Sequence, residues 1–172
     1  EFCGRDLIGR VVSSQAAQGR AAELILGFRD VGKQVDALAI APYLSLNADP
    51  ERARDVQNWS LDNLFSYLEQ TELAVVEGWI RENKQVADRF KLKLLAYEGG
   101  QHLVGVLGGE NNERVEKLFL SANADARMAR KYQKYHRAWS AGGGDLFCHF
   151  SSVSGWSKWG SWGLLKEYDG DP

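Results

Sequence analysis

Glu98 closes a short apolar run, Lys93-Leu-Leu-Ala-Tyr-Glu-Gly-Gly-Gln-His102, and a carboxylate so placed can serve as a nucleophile or as an acid–base group. Leu94 to Ala96 read as a buried strand, and Tyr97 to Gly100 as the point where it leaves the core. A carboxylate at a strand's mouth stands beside low dielectric, where its pKa can be tuned. The glycines that follow allow a sharp turn or the close approach of a ligand. The plainer alternative is a strand-end glutamate facing water ahead of an ordinary loop.

A second chemistry lies near the C-terminus. Trp156, Trp159 and Trp162 recur at every third position, spaced by small residues that leave large rings free to stand out as a stacking platform. The competing reading has one or two of them plugging a core. The three histidines, His102, His136 and His149, lack metal-ligand spacing, and the two cysteines, Cys3 and Cys148, give no multi-cysteine site. His136 is expected on a helix surface, and His149 on a strand. Cys3 and Cys148 can form one bridge or stay as two thiols. No glycine-rich turn continues into Lys-Ser or Lys-Thr, so no phosphate loop is present and no cofactor is expected.

Composition narrows the partners. The 172 residues are 44% hydrophobic, enough for one substantial core, and 21 basic against 23 acidic residues give a net charge of -2. The basic run Arg127, Arg130, Lys131, Lys134 and Arg137 suits the wet face of a helix, so nucleic acid is not an expected partner. No stretch reaches the length of a membrane span. The chain opens on Glu-Phe, so the absence of a signal peptide leaves localisation undecided, with secretion or a periplasmic location compatible.

These residues need elements to hold them. Strands are expected at 10–14, 37–43, 92–97 and 146–150, and helices at 21–34, 61–89 (as one helix or two, since Gly78 and Gln70-Thr71 weaken it) and 113–139. The 37–43 run is apolar throughout, as in a parallel strand covered on both faces, and Pro42 marks its end. Residues 44–58 read as a polar loop turned by Asp49-Pro50, with a short helical turn over 51–56. Ser60 is an expected N-cap, with Asn63 three positions on. Residues 99–112 read as a glycine-rich loop. The order β-α-β-α-β-α-β, with long crossovers, implies an α/β chain with a parallel sheet. It suits a small open sheet or half of an eight-stranded barrel. Gln15, Tyr43, Glu98 and the 151–162 segment fall at strand ends, where both architectures gather a ligand site.

The segments Val12-Ser-Ser-Gln-Ala-Ala17, Ala37-Leu-Ala-Ile-Ala-Pro-Tyr43, Ala96-Tyr-Glu-Gly-Gly-Gln-His102 and Trp159-Gly-Ser-Trp-Gly-Leu-Leu165 together resemble the C-terminal half of a (β/α)8 glycoside hydrolase of the two-glutamate retaining clan. They look most like its cellulase-like or cellulose-binding bacterial members. The resemblance implies one partial TIM-barrel domain over 1–172, covering strands five to eight. It implies Glu98 as nucleophile, Tyr43 orienting it, and His102 hydrogen-bonding it or a sugar hydroxyl. Trp156 would floor the sugar subsite, with Trp159 a close second, and Gln15 and Trp162 would complete the substrate contacts. The expected acid/base glutamate is absent with strands one to four. Retaining hydrolysis needs that second carboxylate about 5–5.5 Å from the first.

Three functions follow as expectations. The first is a retaining hydrolase of a β-linked polysaccharide or oligosaccharide, with its acid/base supplied from outside the chain. The second is a non-catalytic carbohydrate-binding module using the tryptophan-rich loop. The third is an inactive half-barrel that self-associates or docks a complementary N-terminal half.

Overall fold

Ala37-Leu-Ala-Ile40 carries no polar side chain, and all four residues are buried to 3% exposure or less, which only a strand covered on both faces achieves. The computed structural model describes residues 8–169. They divide into two compact units interleaved along the chain. The first takes in 8–42, 77–99 and 138–148, and the second 43–76, 100–137 and 149–169.

In the first unit, β1 (Val11–Ser13), β2 (Ala37–Ile40) and β4 (Lys93–Ala96) form a parallel sheet in the order β1-β2-β4. The central strand pairs Leu38 with Val12 on one side and with Leu94 on the other. Helix α1 (Gly19–Gly27) contributes Ala22 and Leu26, and the later turns of α4 (Leu73–Arg89) contribute Ile80, Val86 and Ala87. Each fully buried leucine or isoleucine here is worth about 1.5–3 kcal/mol. Asn83, fully buried within that apolar surface, donates through Nδ2 to the carbonyls of Ala16 and Trp79.

The second unit holds β3 (Leu44–Ala48) and β5 (Gln101–Gly105), paired in parallel with Ser45 opposite His102. Leu44, Leu46 and Ala48 point to the core while Ser45 and Asn47 do not, a strict alternation with period two. Around the pair are α2 (Pro50–Val56), α3 (Leu61–Tyr67), α5 (Glu113–Asn123) and the first turns of α6 (Ala126–Ala141). Local chemistry starts each of these helices. Asp49 caps α2 by accepting from the Arg52 N–H at 2.8 Å, with Pro50 at the first helical position. Asn112 caps α5 through the N–H groups of Arg114 and Val115. Ser60 and Asn63 cap α3 reciprocally, each side chain accepting from the other's backbone N–H at 3.1 and 3.0 Å. Ser60→Ala should lower stability by roughly 0.5–2 kcal/mol in urea unfolding, and no loss would show that Asn63 alone holds this end.

The half-barrel is overturned. The strands form two small separate parallel sheets, of three and two strands, and neither closes nor curls. The α/β character and parallel pairing stand, while the (β/α)8 TIM-barrel topology and its strand numbering do not. Backbone chemistry explains the interruption. The first ladder ends where the Tyr97 N–H donates to the Ile40 carbonyl at 3.1 Å, and the second begins where the Leu44 N–H donates to the Gly100 carbonyl at 2.9 Å. Between them lie Pro42, which has no N–H to give, and Gly100, held at φ 144°.

Individual elements also differ from expectation. Residues 44–48 are a strand rather than a loop, the helical turn expected over 51–56 is α2, and the glycine-rich stretch after Glu98 contains β5. The expected strand at 146–150 is a single bridge from Phe147 to Ala96. The helix expected over 113–139 is two helices, because the Asp125 carboxylate caps a new start at the Arg127 N–H. Residues 61–89 stay helical through a π-turn at Leu68–Glu72, where the Tyr67 hydroxyl donates to Glu72 at 2.6 Å.

Candidate functional site

The second unit's site is built from the start of β5. Gln101, 1% exposed, spends its whole amide on the protein. Its Nε2 donates to the Ser161 carbonyl and to Asn123 Oδ1, and its Oε1 accepts from the Leu103 N–H at 2.8 Å. Its backbone N–H donates to the Tyr132 hydroxyl at 3.1 Å. These bonds fix β5 and the tryptophan-rich segment in one register, so the next residue, His102, has one orientation.

His102 is on the opposite face of β5 from Gln101, where the parallel register sets it beside the outward residues of β3. Its Nδ1 lies 2.7 Å from Asn47 Oδ1. An amide oxygen only accepts, so His102 carries its proton on Nδ1 and presents Nε2 as an acceptor. Burial holds its pKa below the ordinary imidazole value, which keeps the ring neutral at pH 7. Tyr43 lies on one side with centroids 5.3 Å apart, and Trp162 on another at 5.6 Å. Phe150 extends the aromatic surface, edge-on to Trp162 at 6.3 Å. The result is one fixed hydrogen-bond acceptor framed by aromatic rings.

The tryptophan-rich segment folds on itself. The Ser151 N–H donates to the Trp162 carbonyl, the Leu164 N–H to Ser151, and the Ser154 N–H to Leu165. Trp156 is turned inward, its indole N–H donating to the Gly163 carbonyl at 3.2 Å. Trp159 is 62% exposed with the Lys158 ammonium 4.7 Å above its ring.

Behind this surface is a second aromatic group. Tyr132 and His136 of α6 stack at 6.2 Å, and His149 meets the edge of Tyr132 at 5.1 Å and His136 at 6.3 Å. His149 also fills the space over Gly100, where a Cβ would come within 2.9 Å of its Cε1. Both His149 ring nitrogens are buried without a hydrogen-bond partner. Burial raises the Tyr132 phenol to about 12, with the Gln101 N–H working against it. His136 packs half-buried against Tyr132 and Tyr135, which corrects its expected place on the helix surface.

The structure therefore brings together Tyr43, His102 and Trp162, with Trp156 and Trp159 on the segment that carries Trp162. Glu98 and Gln15 belong to the first unit. Glu98 is half-buried just past β4, and its charge adds to burial in pushing the Tyr97 phenol up. Gln15 is exposed after β1. Asn47, Phe150 and the His136–His149 pair were not singled out from sequence as site residues. The alternation of Leu44-Ser-Leu-Asn-Ala48 carried the signal for Asn47. Cys148 is exposed, while the possible bridge to Cys3 lies outside the described residues. Among the described residues no group of three or more His, Cys, Asp or Glu is placed to hold a metal. No helix among them is long and apolar enough to cross a membrane.

Fold and site together define a mixed α/β chain with two small parallel sheets and an aromatic-framed histidine. No protein-family model, curated protein or solved structure matches the chain. The resemblance to the (β/α)8 glycoside hydrolase clan does not hold, because its ordered segments build two small separate sheets and not the barrel it implied. The reading of the chain as a polysaccharide-degrading glycosidase loses its ground as well. The assignment of Glu98 as a glycosidase nucleophile came from strand position in that barrel.

Proposed function

We propose that the second unit is a non-catalytic binding module for neutral carbohydrate. The carrying observation is His102, held by Asn47 with Nε2 free to accept and framed by the rings of Tyr43 and Trp162. A pyranose has an apolar C–H face that stacks on aromatic rings and a rim of hydroxyls that donate to a fixed acceptor. A neutral imidazole suits an uncharged ligand, since it offers no cation to pair with an acid. Trp159, exposed on the same segment, supplies further stacking area for a chain of sugars.

Affinity electrophoresis and calorimetry against soluble β-glucan, xylan and mannan test this. Binding of at least one polymer is expected, weakened about tenfold or more by Trp162→Ala, on the scale of a buried aromatic anchor. His102→Phe should weaken it while leaving the rings in place. Glu98→Gln should bind as the parent does, and neither should release reducing sugar. Failure of every polymer to retard the parent protein, or equal retardation of the Trp162→Ala variant, would overturn the reading.

A further inference from the structure

We propose that His149 and His136 form an acid-sensitive latch that holds the 149–165 segment, and with it Trp162, closed against α6 and the turn at Gly100. The inference adds regulation to the carbohydrate site and rests on that reading for its consequence, though not for its physics.

The latch is built from a ring in an unusual position. His149 packs on Tyr132, His136 and the Cβ-less face of Gly100, and both its nitrogens are shut off from water and make no full hydrogen bond, only a weak interaction with the Trp162 backbone. A buried polar group without a partner costs about 1–3 kcal/mol even when neutral. A proton there would add a second unpaired N–H and a buried charge, which costs far more. In the released segment both nitrogens meet water, so protons favour release.

Among the described residues, the surroundings offer a protonated ring little relief. From α6 it meets Tyr132 and His136, with Tyr135 packed behind His136. That helix otherwise carries Arg127, Arg130, Lys131, Lys134 and Arg137 and no carboxylate. From the turn before β5 it meets Gly100, and from its own segment the Trp162 backbone. Burial and then His136 lower the His149 pKa, with the Trp162 backbone opposing them, and burial lowers that of His136. Both groups are thus depressed in the closed state relative to the ordinary value of about 6.5. The closed state has its full stability above that value and loses it as pH falls from there through the depressed values. The segment that opens carries Trp162, so acid removes one of the two rings framing His102.

Amide exchange on the full chain tests the latch without any sugar. The readouts are the N–H groups of Ser151, Ser154, Leu164 and Leu165, which bond within the segment, corrected for intrinsic rates. Their protection should fall about tenfold for each unit by which a histidine is depressed between pH 7.5 and 5, while β2 amides keep theirs. His149→Phe keeps a ring on Tyr132 and removes one of the two titrating rings, so its protection should fall by less than the parent's, leaving only the His136 share. Flat protection in the parent, or the same fall in His149→Phe, would overturn the latch. Should that variant fail to fold, proton NMR of the parent decides: a His149 midpoint at or above 6.5 overturns the proposal, and one below it supports it. Absence of sugar binding would leave these results intact and count against the binding reading alone.

Discussion

Replacing Gln101 by leucine should destabilise the protein by roughly 3 kcal/mol, at about 1–3 kcal/mol for each buried group left without a partner. The side chain is nearly isosteric, so shape is kept and only the amide's bonds are removed. The Leu103 N–H, the Ser161 carbonyl and Asn123 Oδ1 all lose their partner at once. In a chain of this length the melting temperature should drop by about 2–4 °C per kcal/mol. Urea unfolding gives the first number and calorimetry the second. The local consequence is more diagnostic than either. Ser161 is tied to β5 through this glutamine, so exchange at Leu164 and Leu165 should quicken more than exchange at Leu38 or Leu94. A loss below about 0.5 kcal/mol, the size of a neutral surface change, would mean that water replaces the amide.

Gly109→Ala should be the other costly change. A Cβ there would stand 1.9 Å from the Ala48 carbonyl oxygen and 2.9 Å from the carbonyl carbons of Ala48 and Asp49. These are backbone atoms, so no side chain can rotate away to make room. The same Ala48 oxygen accepts from the Val106 N–H at 2.9 Å, just past β5. Relief of the clash must therefore stretch that bond and the end of β3 together. The expected cost is roughly 1–3 kcal/mol, read by urea unfolding, with faster exchange at Val106. Gly155→Ala is the control, since nothing lies within 4 Å of its added Cβ, and it should stay within about 0.5 kcal/mol of the parent. Equal stability of the two variants would contradict the close approach of Gly109 to β3.

What the sequence showed and what it hid divide along physical lines. β2 was legible because a strand buried on both faces has no choice but to be apolar. Ser60 was legible because a cap is a contact between residues three apart. β3 was hidden because a half-buried strand alternates, and Leu44-Ser-Leu-Asn-Ala48 resembles a polar loop when read for content rather than period. β5 was hidden behind Gly99 and Gly100 and begins with a glutamine, whose burial is tolerated only because distant Asn123 and Ser161 answer its amide. Neither partner can be inferred from local spacing. The barrel was a different error. Parallel pairing and crossover length follow from sequence, but closure depends on ladders that continue past Pro42 and Gly100, and they do not. At the site, the aromatic residues were visible as residue types, while the tautomer of His102 depended on Asn47, more than fifty positions away.

The interleaving of the two units governs the order in which the chain can fold during synthesis. α4 and α6 each begin in the second unit and end in the first, so neither unit is a continuous stretch that a single cut could free. β2 leaves the ribosome well before β4, its neighbour in the sheet. At about 5–20 residues per second, Leu38 and Ile40 stay half-covered for roughly 3–10 seconds before Leu94 and Ala96 arrive. The most apolar strand among the described residues is thus also one that waits, and a chaperone that shields short apolar segments would have most to do at that moment.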